Sequence, residues 1–215
     1  MNIFSNCKGF VYGYLQTPMM QWSYVSGRQM AGKIPDRGTV ATFSKEQIKV
    51  VDESVAVAEE MVCNFYKMSA SQWLRHRYDV KTFSELSPQE KVEGPFAQIV
   101  RYAGRGRELS LGSAVYDFYK ICLQDPAILS ALSTMKNFSL FPFMVYIMVH
   151  ELVHIVRFAK FYQNFNAPDH EKKEEEKRVH QITRSVLSPY DITGMDDVLK
   201  FYEKWGTTGT PVTVA

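Results

Sequence analysis

Cysteine is scarce in this chain of 215 residues, and the few that it has lie far apart. An odd, widely spaced set (Cys7, Cys63 and Cys122) supplies neither a disulfide framework nor a Cys-x-x-Cys pair for zinc binding or redox chemistry. We therefore expect idle or buried thiols in a reducing compartment, and we predict a cytoplasmic protein.

Long apolar runs are also missing. The first eight residues lack a basic start followed by an apolar stretch, so we expect no secretory signal. The most apolar segment, residues 140–149, is about half the length of the roughly 20 residues that a membrane-spanning helix needs. It contains Pro142 and leads directly into His150 and Glu151. We expect a buried core helix and no membrane span.

The charge is nearly balanced, with a formal net charge of +2. Lys and Arg are scattered rather than clustered, which argues against a nucleic-acid partner. The hydrophobic share of 46% and the charged share of 22% are typical of globular proteins, so a folded core is expected.

Turn signals and apolar spacing divide the chain into three parts. Residues 1–44 are rich in Gly, aromatic residues and Met, and we interpret them as an irregular extension packed on the core, with a short strand near residues 10–15. Residues 45–205 are predicted to form a single domain. Residues 206–215 are predicted to be a mobile tail.

The predicted domain is α+β and predominantly helical, with an all-α fold as the alternative. Ser44 followed by Gln47 is typical of a capping box, which would start a helix that runs to Met68. Residues 96–102 are the best candidate for a strand. Further helices are expected from Ser69, from Ser87, from Ser113, from Asp125, over 141–161, over 171–187 and over 195–205.

The sequence His150-Glu151-Leu152-Val153-His154 carries the chemistry that can be identified. Positions i and i+4 of a helix lie on one face, so both imidazoles can reach a single ion. Zinc accepts imidazole nitrogen and lowers the pKa of bound water to about 7. Glu151 lies beside such an ion, where it can accept a proton from water.

The surrounding residues are apolar, so this helix should be buried on most sides. Buried polar groups require partners, which gives the three polar residues a reason to be there. The alternative interpretation is a pair of core histidines bonded to backbone carbonyls, with Glu151 paired to an Arg such as Arg157.

A catalytic zinc site needs a third protein ligand and an open position. The metzincin extension of the motif is absent, because Arg157 and Lys160 stand where that pattern has Gly and His. A later helix offers Glu176 and His180 on one face at i and i+4. We predict Glu176 as the third ligand, with His180 as the alternative ligand or as its support, and the neighbouring run 171–175 as a solvated face.

Over residues 150–180 the sequence resembles zincin-type metallohydrolases, and it is most similar to the gluzincin arrangement. The resemblance implies Zn²⁺ held by His150, His154 and Glu176, with Glu151 as general base. His180 departs from the thermolysin-like pattern, which has an acidic residue there. Such folds place the active helix beside a sheet whose edge strand holds an extended peptide, and residues 96–102 are the segment that we assign to that edge.

The function expected from these residues is zinc-dependent hydrolysis, most simply of peptide bonds in a peptide or protein. His170, Tyr162 and Tyr190 are candidates for the group that stabilises the transition state. One alternative is a non-enzymatic metal-binding module that binds a partner protein, in which His180 closes the metal shell as a fourth protein ligand. A second is a di-iron carboxylate protein based on Glu151-x-x-His154, although no second Glu-x-x-His occurs at His170 or His180.

Overall fold

The computed structural model of the protein describes residues 21–25, 40–74, 77–105, 115–135 and 137–207. Within these ranges the chain forms six α-helices and four β-strands. The helices are α1 (Lys45–Tyr66), α2 (Ala70–Trp73), α3 (Asp125–Thr134), α4 (Leu140–Ala159), α5 (Asp169–Leu187) and α6 (Met195–Thr207). The strands are β1 (Gln21–Val25), β2 (Tyr78–Lys81), β3 (Ala97–Arg105) and β4 (Val115–Leu123).

The long helices begin and end close to where the sequence predicts. The capping box at the start of α1 is confirmed. The backbone N–H of Gln47 donates to Ser44 Oγ at 3.3 Å, and the backbone N–H of Ser44 donates to the side-chain oxygen Oε1 of Gln47 at 2.8 Å. The helix predicted from Ser69 forms only a single turn, α2. The helix start predicted at Ser87 is a short 3₁₀ turn, Pro88–Glu90.

The four strands form one sheet in the order β1-β3-β4-β2, so the fold is mixed α+β and not all-α. β3 pairs antiparallel with β1 and β4, whereas β2 pairs parallel with β4. The strand predicted at 96–102 is confirmed as β3, but its assignment to an edge of the sheet is wrong. β3 lies inside the sheet because β1, which comes from the part of the chain interpreted as irregular, pairs along its other side.

The helix predicted from Ser113 is wrong, since Val115–Leu123 is strand β4. Its buried residues alternate with a period of two: Tyr119, Ile121 and Leu123 face the main core, whereas Cys122 packs in a smaller cluster on the opposite side. A segment rich in aromatic and β-branched residues fits this pleated surface better than a helix. The strand expected near 10–15 and residues 208–215 of the predicted tail lie outside the described residues.

Helix α4 is the centre of the fold, with every residue from Pro142 to Phe158 buried. Helix α1 packs along it, and the sheet contributes aromatic contacts such as Tyr119 of β4 with Phe158 at 6.0 Å between ring centroids. In the described part of the chain, α4 is the one helix long and apolar enough to cross a membrane. Because 83% of its apolar window is buried inside the fold, α4 has the environment of a core helix.

The face of the sheet opposite α4 carries a buried polar network around Glu90, which is only 3% exposed. Tyr102 donates to Glu90 Oε1 at 2.6 Å, and Lys120 Nζ donates to the same oxygen at 2.7 Å. Burial alone would raise the pKa of Glu90, but the hydrogen bonds that it accepts outweigh burial and bring its pKa to about 2.

This network predicts an acid-sensitive contribution to stability. Since the pKa of Glu90 is lower in the folded than in the unfolded state, its stabilisation is complete above the unfolded value and is lost as the pH falls towards 2. We expect it to supply about 2–3 kcal/mol of the free energy of unfolding at pH 7. Urea unfolding between pH 7 and pH 2.5 should show a smaller acid-induced loss in Glu90→Gln. The exposed Glu93→Gln serves as control, and an unchanged pH profile for Glu90→Gln would contradict the prediction.

Candidate metal centre

The two histidines of the motif lie side by side on one face of α4. Their Nε2 atoms are 3.2 Å apart, His154 is fully buried, and His150 is 5% exposed. On the other side of its ring, His154 Nδ1 lies 3.3 Å from the Gln163 side-chain oxygen. In the neutral ring, a proton on Nδ1 directed to Gln163 would put the lone pair on Nε2, the atom that faces His150 and Glu176.

Helix α5 supplies the carboxylate that meets both histidines. Glu176 Oε1 is 3.1 Å from His154 Nε2, and Glu176 Oε2 is 3.4 Å from His150 Nε2. The structure therefore brings together the three residues predicted from the sequence as metal ligands, and their ligand atoms all lie within 4.8 Å of one another.

These separations fit a metal ion. Bonds of about 2.0–2.1 Å at tetrahedral angles place neighbouring ligand atoms about 3.3 Å apart. The three measured separations of 3.1, 3.2 and 3.4 Å lie around that value. Two imidazoles and one carboxylate are also a donor set that zinc accepts in catalytic sites. His150, His154 and Glu176 could thus hold a metal ion without rearrangement of the helices.

Glu176 and His154 shift one another's pKa values. Burial would raise the pKa of Glu176, but the two imidazoles outweigh burial and hold this pKa well below its usual range. Burial likewise lowers the pKa of His154, but the Glu176 carboxylate outweighs burial and raises it. The cluster therefore favours an ionised Glu176 beside a positively charged His154. A bound cation would supply the same positive charge next to Glu176.

Glu175, directly before Glu176, fixes the register of α5 on α4. It is 5% exposed and pairs with Arg157 of α4, which is 9% exposed, and with Arg178 at 2.6 Å. The expectation that residues 171–175 form a solvated face is therefore wrong at Glu175. The alternative partner suggested for Glu151 is also wrong, since Arg157 is paired with Glu175.

Glu151 is 2% exposed and lies close to the cluster. Its negative charge adds to the effect of Glu176 in raising the pKa of His154. It also acts on Tyr202 of α6, whose pKa is raised first by burial and then by the charges of Tyr146 and Glu151. The predicted general base thus lies on the same helix as both histidines, and its charge acts on His154 and on Tyr202 of α6.

Beyond His150, His154 and Glu176 lies a group of stacked rings. His180 Nδ1 is 2.8 Å from the Tyr146 hydroxyl, and the His180 and His150 rings are 4.4 Å apart. The Tyr146 and Tyr202 rings stack at 3.9 Å. His180 is not a member of the three-residue group whose atoms could share one ion. Burial and the neighbouring His150 lower the pKa of His180 to about 3.

The residues predicted to stabilise a transition state lie elsewhere. His170 is 81% exposed beside Glu171, Tyr162 is 60% exposed over Arg157, and Tyr190 accepts a hydrogen bond from Asn64. The tyrosines that do meet the cluster, Tyr146 and Tyr202, were missed. Tyr146 could have been found, because it precedes His150 by four residues and so shares its face of α4.

The fold and site together define an α+β protein with a His-His-Glu cluster that could bind a metal ion. No family model matches the chain, and neither a curated protein nor a solved structure matches it. The similarity to zincins therefore depends on the residues of the site alone.

The geometry predicts that each of the three residues is needed for tight zinc binding. His150→Ala, His154→Ala and Glu176→Ala should each weaken binding on the order of 100-fold or more, because each removes one ligand atom. Glu174→Ala, which changes an exposed carboxylate two residues from Glu176, is the matched control. The measurement is competition with a chromophoric chelator, and a Glu176→Ala affinity equal to that of the control would exclude Glu176 as a ligand.

A second prediction concerns the register of the two helices. Glu175→Ala leaves the Arg157 guanidinium buried without its carboxylate and should cost about 3 kcal/mol of unfolding free energy. It should also weaken zinc binding about tenfold, since outer residues orient the ligands. Glu174→Ala is again the control. Equal stability of the two variants in urea would show that the Arg157–Glu175 pair does not set the register.

Proposed function

We propose that this protein is a zinc-dependent hydrolase of the metallopeptidase type. The observation that carries the proposal is the separation of the three ligand atoms, 3.1–3.4 Å, together with a buried glutamate, Glu151, on the same helix as both histidines. When bound, zinc would polarise a substrate carbonyl and lower the pKa of water. A carboxylate that is not itself a ligand then has a use as a general base.

Glu151 is the residue that would move protons. As a carboxylate beside the cluster, it would accept a proton from the attacking water and deliver it to the leaving amine. The surrounding core excludes bulk water from Glu151 and from both histidines. Low exposure strengthens the electrostatic interactions that hold these groups in place.

Among the residues at the cluster, those contributed by α5 are the more exposed. Glu176, at 17%, is more exposed than either histidine, and His180, one turn further along, is also partly exposed. A substrate would therefore approach the metal along the Glu176 and His180 face of α5. We propose a peptide or protein substrate, because a metal ion that polarises a carbonyl, an activated water and a general base together suit the hydrolysis of an amide bond.

Two other functions have less support. A closed, non-enzymatic metal site would need His180 as a fourth ligand, but its Nδ1 is engaged with Tyr146 and it lies outside the three-residue group. A di-iron site would need more carboxylates than the single one in this group, which is the only such group among the described residues.

Glu151→Gln tests the function directly. The amide cannot act as a base, so turnover should fall by about 10²–10⁴-fold, whereas zinc content should stay at one ion per chain. The assay is cleavage of a quenched-fluorescent peptide library by the zinc-loaded protein, with the metal quantified by elemental analysis. Glu171→Gln, an exposed change on α5, is the control. Cleavage by Glu151→Gln at the control rate would exclude the mechanism, and two irons per chain would favour the di-iron alternative.

A further inference from the structure

His180 and Tyr146 form a pair at one end of the candidate metal centre. The Tyr146 hydroxyl and His180 Nδ1 are 2.8 Å apart, and the two rings lie 6.2 Å apart in a stacked arrangement. Tyr146 is 2% exposed, so its hydroxyl is largely shielded from water. The pair links α4 to α5 one turn away from the contacts of Glu176.

The hydrogen bond selects one form of the imidazole. A buried tyrosine hydroxyl needs an acceptor for its proton, and His180 Nδ1 is the acceptor that the described residues place beside it. When the hydroxyl donates to Nδ1, the neutral ring carries its own proton on Nε2. In this form Nε2 has no lone pair to give to a metal ion, and it is instead a hydrogen-bond donor.

The ring that carries this donor lies beside the metal-binding cluster. Its ring is 4.4 Å from the ring of His150, whose Nε2 belongs to the three-atom group. His180 is partly exposed, whereas His150, Glu151 and His154 are buried. His180 is thus the more exposed neighbour of the cluster, and we place the entry of a further ligand of the metal on its side.

We infer that His180 is not a metal ligand but a hydrogen-bond donor, held by Tyr146, for an oxygen of the molecule that occupies the open coordination position. The inference depends on the metal site of the proposed function but does not require that the bound molecule be hydrolysed. It assigns Tyr146 as a positioning residue that acts through His180. The molecule recognised would present an oxygen with negative charge beside the metal, as carboxylates and hydroxamates do.

The tautomer can be measured without any activity. In ¹⁵N-histidine NMR spectra of the zinc-loaded protein, we expect His180 to carry its proton on Nε2 and to have an unprotonated Nδ1. Tyr146→Phe should remove this preference. A His180 with its proton on Nδ1, or with the ¹⁵N shift of a zinc-bound Nε2, would overturn the inference.

Binding of acetohydroxamate to the zinc-loaded protein separates a donor from a ligand. His180→Leu should weaken hydroxamate binding about tenfold while zinc affinity stays within about threefold of the unchanged protein, because one charge-assisted hydrogen bond is lost. His180→Gln, which keeps an acceptor for Tyr146 and an N–H donor, should recover most of the hydroxamate affinity.

Two results of the same zinc and hydroxamate titrations would overturn the inference. A zinc affinity of His180→Leu reduced as far as that of His154→Ala would make His180 a ligand and overturn the inference. Hydroxamate affinity that is equal in His180→Leu and the unchanged protein would also overturn it. Absence of peptide cleavage with these binding results intact would count against the proposed hydrolase and leave the role of His180 supported.

Discussion

The burial of α4 is the constraint on which the rest of the structure depends. From Pro142 to Phe158 the helix is enclosed by α1, the sheet, α5 and α6. Any polar residue in such a helix loses its water and requires a partner from a neighbouring element. The helix nevertheless carries His150, Glu151 and His154. Helix α5 supplies a partner for the two histidines, the carboxylate of Glu176. The site is therefore a consequence of how one buried helix satisfies its polar residues.

Two consecutive glutamates on α5 contact different polar residues of α4. Successive residues of an α-helix point about 100° apart, so Glu175 and Glu176 meet different parts of α4. Glu175 neutralises Arg157, a contact that fixes how α5 lies on α4. Glu176 then reaches His150 and His154. A shift of α5 by one residue would break both sets of contacts together, which couples the metal site to the packing of the core.

Local patterns account for what could be predicted from the sequence. Helical spacing and a capping box place α1, and the motif spacing places two imidazoles on one face of α4. The phase of α5 places Glu176 and His180 on one face but does not choose between them. It also does not identify the partner of Glu175, since Arg157 is distant in sequence. Strand order depends on pairings between distant segments, which explains why β3 was assigned to an edge. The prediction of a helix at β4 instead overlooked a local signal, the period of two of its buried residues. Tyr202 reaches the site from α6, and no local pattern marks it.

We propose that His150, His154 and Glu176 hold one metal ion and leave a fourth position for a non-protein ligand. Anomalous diffraction at the zinc edge, from crystals of protein purified without chelators, would locate the ion. We expect a single anomalous peak within about 2.0–2.2 Å of the two Nε2 atoms and a Glu176 oxygen, with a non-protein oxygen completing the shell. A zinc-supplemented crystal without a peak at this place, or a peak with His180 as a fourth protein ligand, would contradict it.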